Sequence, residues 1–469
     1  MKKIGNFFGW IWDDLCDIGA TFAQGDFKTK LSFLIMGFGS IARGAILRGI
    51  AFLATEVGFI LYMIMGGAKY LSLIGTLGTV ATHKESQIIE LAGGLETEIE
   101  TTVYGQNSFL ILLYGVIAII VTLLFIFLWR LNIRENKREE ALVKAGRTIP
   151  SFGSDLRSLV DSNFDKTLLA LPVIGVFLFV VVPIIFMICV AFTNYNGTHN
   201  PPDKLFTWVG LQNFKKIFQF SGNGLGQTFM RVLGWTLIWA FFATFLTYFG
   251  GMGLAILINN KNVKLKKMWR TIFVMTIAVP QFISLLYVKN LFSKNGIIMN
   301  RLVDWGILKE KYDLWGHAGS ARALIIIINM WVGTPYVMLM CSGLLMNIPS
   351  DLYESARIDG ANAWQMFYKI TLPYMLFVTG PYLLTSFTGN LNNFNVIYLL
   401  NGGSPTTLGL TGGAGSTDLL VTWLYKLTVQ KQAYGQAAVL GILVFVVVAV
   451  ISLVVYNFLP SVKDEEGFQ

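Results

Sequence analysis

Ile348-Pro-Ser-Asp-Leu-Tyr-Glu-Ser-Ala-Arg-Ile-Asp-Gly-Ala-Asn-Ala-Trp-Gln-Met-Phe-Tyr-Lys-Ile-Thr-Leu-Pro373 joins two long apolar stretches, and its polar, amphipathic character organises the reading of the whole chain. Asp351 and Glu354 have the spacing of a capping box, so a helix is expected to start there. Leu352, Ala356 and Ile358 supply a small apolar face. Gly360 lets the chain leave that helix through a left-handed turn. A second short helix is expected over 362–370. Pro373 then stands where the next apolar stretch begins, and its missing N–H costs nothing in a first helical turn. The segment is expected as a helix–turn–helix lying roughly parallel to a membrane.

A helix needs about 20 apolar residues to cross a bilayer. Outward from this segment, eight stretches qualify: 47–66, 108–129, 167–193, 233–259, 268–292, 322–347, 374–400 and 437–459. The fold class is therefore an all-α polytopic membrane protein with eight transmembrane helices. The stretch 31–42 is too short and is read as interfacial or re-entrant. Charge sets the orientation, because Lys and Arg near span ends are retained in the cytoplasm. The tail carries Lys2, Lys3, Lys28, Lys30, Arg43 and Arg48. The segment after span two carries Arg130, Arg134, Lys137, Arg138, Lys144, Arg147, Arg157 and Lys166, and 260–270 has five cations and no acid. The loop after span one is acidic, with Glu85, Glu90, Glu96, Glu98 and Glu100. Both termini and 348–373 are thus expected in the cytoplasm. Residues 130–166 are expected to extend span two as a helix and end in a turn at Ser151-Phe-Gly-Ser154.

The composition agrees. The chain has 469 residues, 54% hydrophobic and only 13% charged, with a mean hydropathy of +0.60. Soluble domains carry nearer a quarter charged. The +9 net charge follows the membrane rule above and does not indicate nucleic acid. Cys16, Cys189 and Cys341 are far apart and have no metal or disulfide spacing. The aromatic N-terminal tail is read as retained and interfacial, because Asp13, Asp14 and Asp17 interrupt its apolar run. No Walker A pattern occurs. Thr411-Gly-Gly-Ala-Gly-Ser-Thr417 lacks the lysine and is read as a flexible outer loop. His83, His199 and His317 are read as solvated, and Asn196-Gly-Thr198 as a chance sequon. Glu56 is the one clear acid inside a span, read as structurally partnered. Neither nucleotide binding nor an ion relay is visible, so the driving force has to come from a partner.

The frame Glu354, Ala356, Asp359, Gly360, Ile370, Leu372 and Pro373 resembles the coupling loop of ATP-binding-cassette (ABC) import permeases. The likeness extends over about 167–459 to the larger permease subunit of maltose/maltodextrin-type sugar importers. It is carried by Ala191-Phe-Thr-Asn-Tyr195, Ala278-Val-Pro-Gln-Phe-Ile-Ser284, Ile326-Ile-Ile-Asn-Met-Trp-Val-Gly-Thr-Pro-Tyr336, Asn392-Asn-Phe394, Leu400-Asn-Gly-Gly403 and Thr417-Asp-Leu-Leu-Val421. The resemblance implies a type I ABC importer permease fold and a transporter subunit rather than an enzyme. ATP and Mg would be bound by separate ATPase subunits and no cofactor by this chain. Asp351, Glu354, Ser355, Ala356, Asp359 and Gly360 would contact the ATPase. The implied partners are a second permease, two ATPases, membrane lipid and an outer solute-binding protein. The enteric-type member carries a large insertion between spans three and four, for which Thr193–Arg231 leaves no room. That departure implies a Gram-positive-like importer with a lipid-anchored binding protein. The implied organisation is an N-terminal region 1–46, two spans with a linker over 47–166, and a core permease over 167–469.

A neutral sugar needs amides, hydroxyls and flat rings. Mid-span amides face either a cavity or another helix. By position, the family's sugar path falls on Asn329, Val332, Gly333, Tyr336, Ser386, Asn390 and Asn393, with Ile277 and Gln281 from span five. The family has tyrosine and serine at those last two positions and an aromatic at Gly389. The implied solute is a neutral oligosaccharide, maltose or maltodextrin first, with another oligosaccharide or glycerol phosphate as the alternatives and a secondary carrier as the different class.

Overall fold

In hydrocarbon every backbone N–H and C=O has to be paired inside the protein, which leaves helices as the natural spanning element. The computed structural model describes residues 2–80, 83–91, 95–103, 105–202, 204–221, 224–260 and 262–458. Lys261, used above to assign the cytoplasmic side, and the C-terminal tail, expected on that side, lie outside them. The chain forms two compact units, Met1–Trp208 and Val209–Gln469. The third span groups with the first unit, whereas the sequence reading placed it with the core over 167–469.

The first unit begins with α1 (Lys2–Gln24), α2 (Phe27–Leu31) and α3 (Phe38–Ala42). The first span, α4, covers Ile46–Thr76. A hairpin of β1 (His83–Leu91) and β2 (Leu95–Val103) follows, paired antiparallel from His83↔Val103 to Leu91↔Leu95. This hairpin was not foreseen. Then come α5 (Ser108–Lys144), α6 (Phe152–Val160) and α7 (Phe164–Ala191). Ser151-Phe-Gly-Ser154 is a helix start, not a turn: Ser151 Oγ accepts the Ser154 N–H at 3.3 Å.

The 31–42 stretch turns back beside α5 and is held there by polar groups. Gly37 N–H donates to Asn132 Oδ1 at 2.9 Å, and Ser32 Oγ to Asn136 Oδ1 at 3.1 Å. Glu56 accepts the Met36 N–H at 2.8 Å, which gives the mid-span acid its structural partner. Arg43 is buried against Asp26, 2.6 Å away. Burial alone would raise the Asp26 carboxyl. The Thr29 N–H and the Arg43 guanidinium outweigh it and hold the carboxyl below its ordinary value.

The second unit contains α8 (Gln212–Ile217), the long α9 (Gly226–Asn259), α10 (Lys266–Ala278), α11 (Gln281–Leu291) and α12 (Ile297–Asp304). It continues with α13 (Ala318–Leu345), α14 (Ser350–Ile358) and α15 (Ala363–Leu391). It closes with α16 (Phe394–Asn401), α17 (Leu420–Tyr425) and α18 (Tyr434–Phe458). Among the described residues seven helices are long and apolar enough to span, and α10 with α11 makes a bent pair that brings the count to eight. Span five is therefore not one straight helix over 268–292. The axes of α10 and α11 differ by 93°. Pro280 excludes the helical conformation from Val279 and supplies no N–H to the ladder. Span seven also differs: α15 begins at Ala363 and stops at Leu391, and 394–401 is the separate α16.

The core lies along α9 and α13. Trp235, Trp239, Leu285, Ile325, Val396 and Leu419 form one buried cluster, and Tyr248, Met252, Val337, Met338 and Met375 another. Small residues allow the close approach. A Cβ on Gly251 would stand 2.5 Å from the Val337 Cβ. The 402–419 loop is packed rather than flexible. Asp418, fully buried, accepts Lys426 Nζ and the Gly415 N–H at 2.6 Å each and the Thr422 hydroxyl at 2.8 Å. Burial pushes the Asp418 carboxyl up, while the Lys426 ammonium works against that rise.

Two substitutions on α9 should separate. Gly251→Ala overpacks the α13 contact and costs about 1–3 kcal/mol. Gly253→Ala, where a Cβ meets nothing within 4 Å, is neutral or stabilising. Thermal unfolding of the detergent-solubilised protein checks both. Asp418→Ala strands Lys426 in a buried site and is expected to cost about 3–5 kcal/mol in the same assay.

Candidate functional site

The break between α10 and α11 borders a cavity of about 370 Å³. Interrupted backbone at membrane depth is tolerated only against protein or water, so break and cavity belong together. Ala243 and Thr247 of α9 form one wall, and Thr276, Ile277, Val279, Pro280, Gln281 and Ser284 surround the break. α13 contributes Asn329, Val332, Gly333, Tyr336 and Val337, and α15 contributes Tyr382, Ser386 and Asn390.

The structure thus brings together Gln281, Asn329, Val332, Gly333, Tyr336, Ser386 and Asn390, with Ile277 beside them. Asn393 is not on this wall. Its amide donates to Asn390 Oδ1 at 3.2 Å and its oxygen caps α16 by accepting the Val396 N–H at 3.3 Å. Asn390 in turn donates to the Thr244 hydroxyl at 3.0 Å. Asn390 therefore both joins helices and faces the cavity, while Asn393 supports it from behind. Asn392, its neighbour, ends α15.

The side-chain amides of Gln281 and Asn329 make no hydrogen bond to any described residue, and Asn329 is 9% exposed. The buried Thr247 hydroxyl also has no partner. A buried donor or acceptor left unpaired costs about 1–3 kcal/mol, so Thr247 and the buried Asn329 favour a solute that carries donors and acceptors. None of the lining residues is Asp, Glu, Lys, Arg or His. Two phenol rings, Tyr336 and Tyr382, stand 6.5 Å apart. The sequence reading missed Tyr382, Thr247 and Ser284. Tyr382 supplies ring surface that the absence of aromatics at Ile277 and Gly389 had removed. The signal for Thr247 was there as a hydroxyl in mid-span, four residues after Ala243, but span four was not searched for polar side chains.

The second element is the 350–366 segment. The expected capping box at Asp351 and Glu354 does not form. α14 starts one residue earlier, at Ser350, behind Pro349, and no side chain caps it. The box sits at the next helix: Asn362 Oδ1 accepts the Gln365 N–H at 2.9 Å and Gln365 Oε1 accepts the Asn362 N–H at 2.8 Å. Gly360 takes φ +77°, and the N–H of Ala361 closes on the Ala356 carbonyl at 2.9 Å, a Schellman ending. The helix expected over 362–370 is not separate. It is the first part of α15, carried past Pro373 by a π turn at Phe367–Thr371. Asp351, Glu354, Ser355, Asp359 and Gly360 are exposed, and Ala356 is half-buried. Ala356, Asp359 and Gly360 border a cleft of about 340 Å³ with Gln365 and Lys369. Ile358 is 87% and Trp364 70% exposed, an apolar surface suited to a protein partner. Tyr353 and Thr371 join their hydroxyls at 2.8 Å, tying α14 to α15.

Residues 248–464 match the family model described as binding-protein-dependent transport system inner membrane component. The chain is 33% identical over 452 residues to the maltodextrin transport system permease protein MdxF of Bacillus subtilis, covering 94% of this chain and 97% of that one. It is 37% identical over 368 residues to the galactooligosaccharides transport system permease protein GanP of the same organism, covering 78% and 86%. A solved bacterial alginate ABC transporter, in complex with an alginate pentasaccharide-bound periplasmic protein, has a chain that superposes with TM-score 0.51 at 27% identity. The match covers 64% of this chain and 96% of that chain.

Gly360→Ala should cost about 1–2 kcal/mol through left-handed backbone alone, since no atom lies within 4 Å of the added Cβ. Thermal unfolding measures the loss, and Gly360→Asn is expected to recover part of it.

Proposed function

We propose that this chain, which belongs to the family of binding-protein-dependent transport permeases of ABC importers, forms the path for neutral oligosaccharides, maltodextrins first among them. The chain is a sugar permease subunit and not an enzyme. The observation that carries the choice of solute is the central cavity: the Gln281 and Asn329 amides, the unpartnered Thr247 hydroxyl, two phenol rings and no Asp, Glu, Lys, Arg or His. A phosphorylated solute such as glycerol phosphate would call for Arg or Lys on that wall, and a secondary carrier for a titratable group. The relatives named for maltodextrin and for galactooligosaccharides keep a second oligosaccharide series as the alternative within the same reading.

Mechanically, the two helices that line most of the cavity leave from the two ends of one segment. α13 runs into α14 through Met346–Pro349, and α15 grows directly out of the 361–363 turn. A displacement of 350–366 therefore reaches Asn329 and Tyr336 through α13 and Ser386 and Asn390 through α15. In the proposed complex a sister permease pairs with this chain in the bacterial plasma membrane. Two ATPase subunits, holding ATP and Mg, dock on Asp351, Glu354, Ser355, Ala356, Asp359 and Gly360 in the cytoplasm, where both termini also lie. A lipid-anchored binding protein delivers the sugar outside. ATP-driven closure of the ATPases is what displaces the segment, so access to the cavity alternates between the two sides.

The test is ATPase activity of the complete complex in lipid with its binding protein, across maltodextrins, galactooligosaccharides and glycerol phosphate. Stimulation by an oligosaccharide series is expected. Asn329→Ala should raise the half-saturating sugar concentration about three- to tenfold, the equivalent of roughly one hydrogen bond. Stimulation by glycerol phosphate and not by sugars would refute the reading.

A further inference from the structure

A second cavity of about 520 Å³ lies at the opposite end of α9 and α13 from the 350–366 segment. Its polar wall includes Arg231, Arg322, Thr407 and Ser416, with Met230 and Leu408 as apolar surface. Arg322 lies 4.6 Å over the Trp235 ring and donates Nε and Nη2 to the Ser416 carbonyl at 2.9 and 2.7 Å. Its Nη1 is left without a hydrogen bond to any described residue, and so is the exposed Arg231. The acid on this wall, Asp418, is neutralised by Lys426. The cavity therefore presents unspent N–H donors to a ligand rich in acceptor oxygens.

The two cavities share a stripe. Arg322, Asn329 and Tyr336 recur every seven residues on α13, which puts Arg322 about 10 Å beyond Asn329 at 1.5 Å per residue. Trp239 of α9 and Ile325 and Ile328 of α13, buried in one apolar cluster, fall in sequence between the residues of the two walls. The central cavity is at the small end of ligand pockets, which run from about 300 to 1,000 Å³. A chain of several sugar units extends beyond it.

We propose that the outer cavity is a second saccharide subsite. It holds the trailing units of an oligosaccharide whose leading units occupy the central cavity. Arg231 and Arg322 Nη1 donate to the hydroxyls of those units, and Met230 and Leu408 pack against their apolar faces. This rests on the oligosaccharide reading above and adds a discrimination by chain length: a disaccharide seated in the central cavity does not reach Arg231.

The complete complex in lipid, with its binding protein, tests it. ATPase stimulation is titrated with sugars of two and of six units, in the maltodextrin and the galactooligosaccharide series, for the parent and for Arg231→Ala. Arg231 is exposed and outside the core, so the variant folds. The half-saturating concentration of the six-unit sugar is expected to rise about tenfold, the equivalent of one hydrogen bond from a charged group. That of the two-unit sugar should change less than about twofold by the same measure. An equal shift for both lengths, or none, overturns the subsite and leaves the oligosaccharide reading standing. A parent complex that no sugar of either series stimulates overturns both.

Discussion

A peptide group without a hydrogen-bond partner is costly in a bilayer, and that constraint governs the second unit. Along α9, α13 and α15 the helical ladders satisfy it, apart from the N–H that Pro335, Pro373 and Pro381 lack. Where Pro280 interrupts the fifth stretch, the chain has to place the broken ends against polar surroundings, and the central cavity is what lies there. The polar side chains of neighbouring helices converge on the same place, since an amide such as Asn329 would be equally costly facing lipid. The break and the sugar-like wall are thus two consequences of one rule.

The same helices connect the 350–366 segment to that wall. Helices are stiff along their axes, and Tyr353 with Thr371 pins the short α14 to the start of α15. The segment carries exposed Ile358 and Trp364, yet little holds it to the unit's own core. At the far end, the buried Asp418–Lys426 pair and the Arg322–Ser416 contact fix the 402–419 loop over α9 and α13. The central cavity lies between the 350–366 segment and the packed 402–419 loop along α13.

Much of this could be read in the sequence, because hydropathy and charge are summed over long windows that tertiary contacts do not overturn. The spans, the 348–373 segment and most of the cavity wall follow from such sums or from the resemblance. The misreadings were local. Asp351 and Glu354 match a capping pattern, but Pro349 starts the helix a residue early, and Asn362 with Gln365 makes the box instead. Asn390 and Asn393 share a face by spacing, yet α15 ends between them, and Asn393 turns to cap α16. Pro280 was visible as a breaker but was absorbed into an apolar window. The 83–103 hairpin was hidden because that loop was read only for its charge.

The most direct measurement of the central claim is a structure of the complete complex, trapped with a bound oligosaccharide. The account predicts sugar density between α9, the α10–α11 break, α13 and α15, within hydrogen-bonding distance of Asn329 and Gln281 and against Tyr336 or Tyr382. Sugar bound elsewhere in the membrane region, with this wall making no contact to it, would contradict the account.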